Sequence, residues 1–274
     1  MKFADLHLHT HFSDGTYSPR EIIEQALKKN LSAISITDHD TVAAIGPSMD
    51  IGASKGLEVL PGIELTAECD GNEVHILGYL IDYQDSLLNE KLSALNKDRI
   101  ERVYRITEKL NQLGVKLKAD SVFAISGQGT VGRLHIARAL VKEGLISSTY
   151  EAFQKYIGDS GPAYFSGFKF SPEEAIGLIK STGGIAVLAH PYVLRDDALI
   201  ERFINAGLLG LEVYYPEHTQ SMVNFYLDLA KKNNLLVTGG SDCHGEAKPE
   251  IKIGTIKIPY ALVEGLKQAK EKLL

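Results

Sequence analysis

Asp5-Leu6-His7-Leu8-His9-Thr10-His11-Phe12-Ser13-Asp14 opens this chain with three histidines and two acids around a short apolar strand. Strand side chains alternate between faces, so His7 and His9 emerge together while Leu6 and Leu8 point the other way. The pair is a ready-made chelate. Imidazole nitrogen combined with carboxylate oxygen suits Zn, Mn or Fe better than Ca or Mg, which take oxygen alone. In α/β folds such residues belong at the carboxyl ends of strands, so the segment predicts both a fold class and transition-metal chemistry.

Working outward, apolar or β-branched runs alternate with amphipathic helical stretches: Ala33 to Thr37, Glu58 to Leu60, Val74 to Leu80, Ile185 to Ala189, Leu211 to Tyr214, Leu235 to Thr238 and Ile251 to Ile258. That rhythm predicts a parallel sheet with crossover helices. Ser18-Pro19-Arg20-Glu21 and Ser171-Pro172-Glu173-Glu174 read as helix starts, each with a capping serine, proline at the first helical position and an early acid. From Ser86 to Leu113 the rhythm gives way to one long charged helix, and it resumes only near Gly183. Residues 1–98 and 168–274 are therefore expected to form an α/β barrel, with 99–167 a mainly helical insertion. Within that stretch Arg99, Arg102 and Arg105 read as a solvated helix face.

The chain has 274 residues, 44% of them hydrophobic, enough for a full core. Its start runs straight into the alternating strand, and no stretch approaches the ~18 consecutive apolar residues of a membrane span; the expectation is a soluble, cytoplasmic protein. Cys69 and Cys243 are too few for a disulfide framework and read as small buried thiols. A formal charge of -6 argues against stable duplex nucleic-acid binding through a basic face. It leaves room for a phosphorylated substrate, since bound divalent cations reverse the local field.

Polar, metal-type residues stand repeatedly where apolar runs stop. Asp38-His39-Asp40 follows one strand, Glu64 another, His75 follows Val74, and His190-Pro191 ends Ala186-Val187-Leu188-Ala189. Gly240-Ser241-Asp242-Cys243-His244 closes the series, with Asp242 and His244 on one face and Cys243 turned away. His7, His9, His39, His75, His190 and His244, six of the nine histidines, thus fall on one expected rim.

This pattern resembles the polymerase and histidinol phosphatase (PHP) superfamily of metal-dependent phosphoesterases over nearly the whole length. The resemblance implies a distorted seven-stranded (β/α)7 barrel holding two or three divalent ions (Mn, Fe or Zn). By position, one ion would take His7, His9, Glu64 and Asp242; a second would share Glu64 and add His75 and His190; a third would take Asp14, His39 and His244. The runs Gly132-Arg133-Leu134-His135-Ile136-Ala137-Arg138 and Gly183 to Pro191 bring the chain nearer a subgroup acting on nucleoside 3′,5′-bisphosphates and, in some members, on the 5′ ends of short oligonucleotides. Leu134 stands where those relatives often have proline.

Phosphate-ester hydrolysis fits such a site independently, because a metal pair ~3.5–4 Å apart holds hydroxide at neutral pH and neutralises phosphoryl oxygens. Glu64 and Asp242 would serve that chemistry. A second phosphate needs a cation fork, for which Arg133, His135 and Arg138 are the candidates, the alternative being ordinary salt bridges. His218, after another strand end, is a candidate for contact with the scissile phosphate or leaving oxygen, or else a surface-loop histidine. His11 reads as a supporting or surface group. The rival readings are a histidinol-phosphate phosphatase, a urease-type amidohydrolase, whose bridging lysine Glu64 would replace, and a non-catalytic metal-stabilised module.

Overall fold

A computed structural model describes residues 2–166, 170–194 and 196–273. Its order is β1 (Phe3–Leu8), α1 (Pro19–Lys28), β2 (Ala33–Ile36), α2 (Ile45–Lys55), β3 (Glu58–Cys69), β4 (Asn72–Tyr79), α3 (Ser86–Gln112), α4 (Ala119–Ser126), α5 (Arg133–Lys142) and α6 (Thr149–Ala152). After a π-helical turn, Phe153–Ile157, follow α7 (Pro172–Ser181), β5 (Ile185–Leu188), the 3-10 turn Pro191–Leu194, α8 (Ala198–Ala206), β6 (Gly210–Tyr214), α9 (Gln220–Lys232), β7 (Leu236–Gly239), β8 (Ile258–Pro259) and α10 (Tyr260–Glu271). Among the described residues no helix is long and apolar enough to cross a membrane.

The strands form one sheet in the order β7-β6-β5-β4-β3-β2-β1-β8. It nearly closes on itself: beyond β7 the chain runs alongside the end of β1, where Asp242 N–H donates to His7 O (2.9 Å) and His9 N–H to Cys243 O (3.1 Å). Gly240 makes this approach possible, because a Cβ there would lie 2.3 Å from the His7 nitrogen. The fold is thus an α/β barrel that brings its first and last metal-type segments side by side.

Two expectations need correction. The sheet is not wholly parallel: β4 runs antiparallel to both β3 and β5. Its cause is the two-residue turn Asp70-Gly71, with φ of 52° and 80°, the type I′ geometry that closes hairpins and that Asp-Gly favours. Nor does Ile251 to Ile258 make a strand, since the chain turns through Gly254 (φ 74°) and only Ile258–Pro259 pairs, antiparallel to Phe3 and Ala4, as a short eighth strand.

Both expected helix starts carry full capping boxes: Ser18 with Glu21, and Ser171 with Glu174. Helix α3 spans two cores. Leu88, Leu92 and Leu95 pack into the main barrel cluster. Val103, Ile106 and Leu110 pack with Leu117, Val122, Ile136, Leu140 and Ile157 in a separate helical cluster. Arg99 and Arg102 sit between them and are buried, contrary to a solvated helix face; Arg105 remains exposed. A long side chain at a junction of two packed units loses water on all sides, and these two arginines meet acids instead: Arg99 pairs with Asp40 (2.6 Å) and Arg102 with Glu73 (2.7 Å).

Candidate metal centre

Every strand that feeds the rim delivers a ligand-type group. Leu6 and Leu8 of β1 pack away from the rim, leaving His7 and His9 on the shared face, fully buried. His7 Nε2 and His9 Nε2 each stand 3.2 Å from Glu64 Oε2, and 3.4 and 3.0 Å from Asp242 Oδ1. Donor atoms held ~2.0–2.2 Å from one ion at tetrahedral angles lie ~3.3–3.6 Å apart, so the spacing is that of a cage around a common centre. A second group converges on the other oxygen of the same carboxylate: Glu64 Oε1 is 2.9 Å from His75 Nδ1 and 3.1 Å from His190 Nε2. His39 Nδ1 also approaches Glu64, at 3.3 Å from Oε2. Asp14 anchors a third, with His244 Nε2 at 3.2 Å and His39 Nε2 at 3.8 Å. His9 reaches this group too, its Nδ1 3.8 Å from Asp14, so both its nitrogens face cages.

The donors fit divalent ions by hydrogen-bond accounting as well. His9 Nδ1 and Nε2, Asp14 Oδ1, His39 Nδ1 and His75 Nδ1 are buried without a hydrogen-bond partner. Buried polar atoms are costly to leave unpaired, and so many at one rim fit ligand groups for divalent cations, with one of the two His9 nitrogens presenting the lone pair. The remaining ring nitrogens are committed in ways that fix those lone pairs. His7 Nδ1 meets Glu212 Oε1 (2.9 Å), His75 Nε2 meets Glu73 Oε1 (3.0 Å), and His244 Nδ1 meets the Asp242 carbonyl (2.8 Å). This is the support that metal-ligating histidines ordinarily have.

Electrostatics tell the same story. Burial alone would neutralise these acids, yet His39, His7 and His75 hold Glu64 well below the carboxylate range; Lys248 and His244 do the same for Asp242, and His244 and His39 for Asp14. Burial likewise opposes charge on the imidazoles, but Asp242 and Glu64 lift His9 to about 9, and Glu64 and Glu73 lift His75 to about 10. The carboxylates therefore keep their charge, balanced by the imidazoles and by Lys248.

The expected cation fork does not assemble. Arg133 lines the cavity that contains Asp14, Glu64, His75, His190 and Asp242. His135 and Arg138 line an adjoining cavity with His11 and Phe12. His135 is corrected as a phosphate-binding cation: burial pushes it down to about 4, and its Nδ1 accepts the Gly132 N–H at 3.1 Å. His218 stands apart from them. Its ring sits among Tyr192, Tyr215 and Tyr226 with Nδ1 on the Val213 carbonyl (2.8 Å), outside the cavity lining, and Tyr215 intervenes between it and His190.

Several supporting groups escaped the sequence reading. Glu212 accepts from His7 and from the His190 backbone N–H (2.9 Å); its signal was an acid in the middle of an apolar strand. Tyr215 OH donates to Asp242 Oδ2 (2.9 Å), and Lys248 Nζ lies 3.2 Å from the same oxygen, neither with a local signal. Asp38 is no ligand but accepts from Thr10 N, Thr10 Oγ1 and Ser13 Oγ, fixing the loop to Asp14. Because Glu212 orients both His7 and His190, Glu212→Gln is expected to weaken Mn²⁺ binding about 10–100-fold by calorimetry, the usual cost of losing such support. Unchanged affinity would reduce Glu212 to a packing role.

A family model for the PHP domain matches residues 5–238. The chain is 32% identical to the 5′-3′ exoribonuclease Rnm of Escherichia coli (strain K12), over 97% of this chain and 93% of that protein. It is 31% identical to the 3′,5′-nucleoside bisphosphate phosphatase of Chromobacterium violaceum, over 93% of this chain and 91% of that protein. A crystal structure from Bifidobacterium adolescentis, described as a candidate metal-dependent phosphoesterase, matches with a TM-score of 0.88 and 33% identity, covering 96% of this chain and 94% of that one. By the family match, these full-length similarities and the ligand-type rim, the chain belongs to the PHP domain family and is a metal-dependent phosphoesterase.

Proposed function

We propose that this enzyme removes the 3′-phosphate of nucleoside 3′,5′-bisphosphates and also acts on short 5′-phosphorylated oligonucleotides. It would use two or three divalent ions (Mn, Fe or Zn) held by His7, His9, Asp14, His39, Glu64, His75, His190, Asp242 and His244. The observation that carries this reading is that the ligand cages and the Arg133 guanidinium face a single cavity. Ester cleavage needs only the cages. A guanidinium in that cavity, joined to His75 through the Glu73 carboxylate, suits a substrate with a second anionic group, and Phe153 and Leu134 beside it supply an apolar surface for a nucleoside. The names of the bacterial relatives, one a bisphosphate phosphatase and one an exoribonuclease, agree with this substrate class.

When bound, the ions supply Lewis-acid neutralisation of phosphoryl oxygens and acidify water. The protein's part is placement. Glu64 turns one carboxylate oxygen to each of two cages, while Tyr215 and Lys248 occupy Asp242 Oδ2 and leave Oδ1 facing His7 and His9. Arg133 is held ready by Asp159 (2.6 Å) and the Ile157 carbonyl, and by the ring faces of Tyr164 and Phe153. Arg138, half-buried in the adjoining cavity near Asp14, is a second anion contact for a longer substrate.

Phosphate release from adenosine 3′,5′-bisphosphate, histidinol phosphate and a 5′-phosphorylated pentanucleotide, compared by kcat/KM on the Mn-loaded protein, tests the proposal. The bisphosphate or the pentanucleotide is expected to lead; histidinol phosphate in front would sink the substrate assignment. Arg133→Ala is expected to raise KM for the bisphosphate about 10–100-fold, the worth of a charged hydrogen bond, with a much smaller change for p-nitrophenyl phosphate. Equal changes would remove the second-anion role.

A further inference from the structure

Glu73 is a half-buried acid to which the mechanism above gives no task. It lies on β4 two residues before His75, so both project from the same face. Its two oxygens serve different masters. Oε1 is 3.0 Å from His75 Nε2, whose ring turns Nδ1 toward Glu64. Oε2 is 2.7 Å from Arg102 Nη1 and 3.2 Å from Arg133 Nη2. Arg133 Nη1 is committed to Asp159, so Glu73 and Asp159 together set the plane of the guanidinium against the cavity wall. Glu73 itself lines that cavity.

We infer that Glu73 is a positioning residue serving both halves of the site: one carboxylate aims the lone pair of His75 at the ion and holds Arg133 where the substrate's second anion arrives. The inference rests on the substrate reading proposed above for its second half only. Two arrangements follow from one group. Withdrawing charge from Glu73 makes His75 a weaker ligand, because the Nε2–H no longer donates to a carboxylate. The same withdrawal frees one edge of Arg133, which then lies between Asp159 and solvent. Breaking a neighbouring ion pair elsewhere in the helical segment would do neither.

The test is Glu73→Gln, nearly isosteric, with three readouts on the full chain. Calorimetric titration with Mn²⁺ alone is expected to give an affinity about 10–100-fold weaker than wild type. KM for adenosine 3′,5′-bisphosphate is expected to rise, and KM for p-nitrophenyl phosphate to rise far less. In the Gln background, adding Arg133→Ala is expected to raise the bisphosphate KM by less than it does alone, since the two share one interaction. Arg133→Ala by itself, with Glu73 in place, should leave Mn²⁺ affinity near wild type; a loss matching that of Glu73→Gln would mean general distortion and overturn the inference. Unchanged Mn²⁺ affinity in Glu73→Gln, or strictly additive KM effects, would overturn it too. Should the amide variant fail to fold, Glu73→Asp keeps the charge but cannot span both partners, so either Mn²⁺ affinity or the bisphosphate KM is expected to worsen, and wild-type values for both would overturn the inference. If wild type turns over the bisphosphate no better than histidinol phosphate, the substrate reading fails, and the Mn²⁺ titrations still decide whether Glu73 supports the ligand cage.

Discussion

Glu64→Gln is expected to lower kcat on the order of 10³-fold or more, the loss that follows when several kcal/mol of ionic transition-state stabilisation disappear. No other side chain touches so much of the site. Oε2 faces His7, His9 and His39, and Oε1 faces His75 and His190, all within 3.3 Å. An amide keeps the size and one of the two oxygens. It replaces the other with an NH₂ that donates and cannot ligate, so at most one cage can retain an oxygen from this side chain, and that oxygen is uncharged. Calorimetry with Mn²⁺ should therefore report fewer ions bound per chain as well as lost turnover, and unfolding by urea should show the variant still cooperative. Turnover within tenfold of wild type would mean that Glu64 does not bridge, and that the cages act separately. Prolonged chelation of wild type should reproduce the activity loss, with recovery on adding Mn²⁺ back, whereas adding Mn²⁺ should not rescue Glu64→Gln.

The gathering of metal-type residues at one rim was legible in the sequence because it depends on short-range rules. Alternation along β1 puts His7 with His9, and the strand-end rule puts His39, Glu64, His190, Asp242 and His244 at one rim, while Asp14 entered only through the family resemblance. Capping chemistry likewise marked the starts of α1 and α7. What the sequence reading missed depends on contacts between distant segments, with one exception. Asp70-Gly71 announced the hairpin that reverses β4, but the expectation of crossover helices overrode that local signal. His135 failed because its distance along α5 from Arg133 says nothing about burial; once the ring is packed against the Gly132 N–H it serves as an acceptor. Arg102 was unreadable for a similar reason. Helical periodicity treats a charged face as solvent-facing, and only the junction of two cores turns that face inward.

Arg99 shows what such a junction is worth, and Arg99→Met is expected to destabilise the fold by about 3–5 kcal/mol, the range for breaking a buried pair by removing one partner. Arg99 from α3 reaches Asp40 with Nε (2.7 Å) and Nη2 (2.6 Å), Thr66 Oγ1 with Nη2 (2.6 Å) and the Val131 carbonyl with Nη1 (3.1 Å). Asp40 is almost fully buried, and its other oxygen accepts the Thr66 N–H at 2.8 Å. It also holds a left-handed backbone, φ 50°, directly after His39, with its own N–H on the Glu64 carbonyl (3.0 Å). Methionine fills much of the arginine's volume but supplies no donor, so the Asp40 carboxylate stays buried without its cation and the strained turn beside His39 loses its tie to α3. Urea unfolding at fixed pH, compared at unchanged m-value, measures the cost. The double replacement Arg99→Met with Asp40→Leu removes both charges and is expected to recover part of the loss, since an apolar substitute for a buried pair is often tolerated. Full recovery is not expected, because Leu cannot accept the Thr66 N–H. A loss below about 1 kcal/mol for Arg99→Met would place the pair with solvent-exposed salt bridges, and the helical segment would then owe its attachment to the apolar face of α3 and to the ion pairs on Glu73.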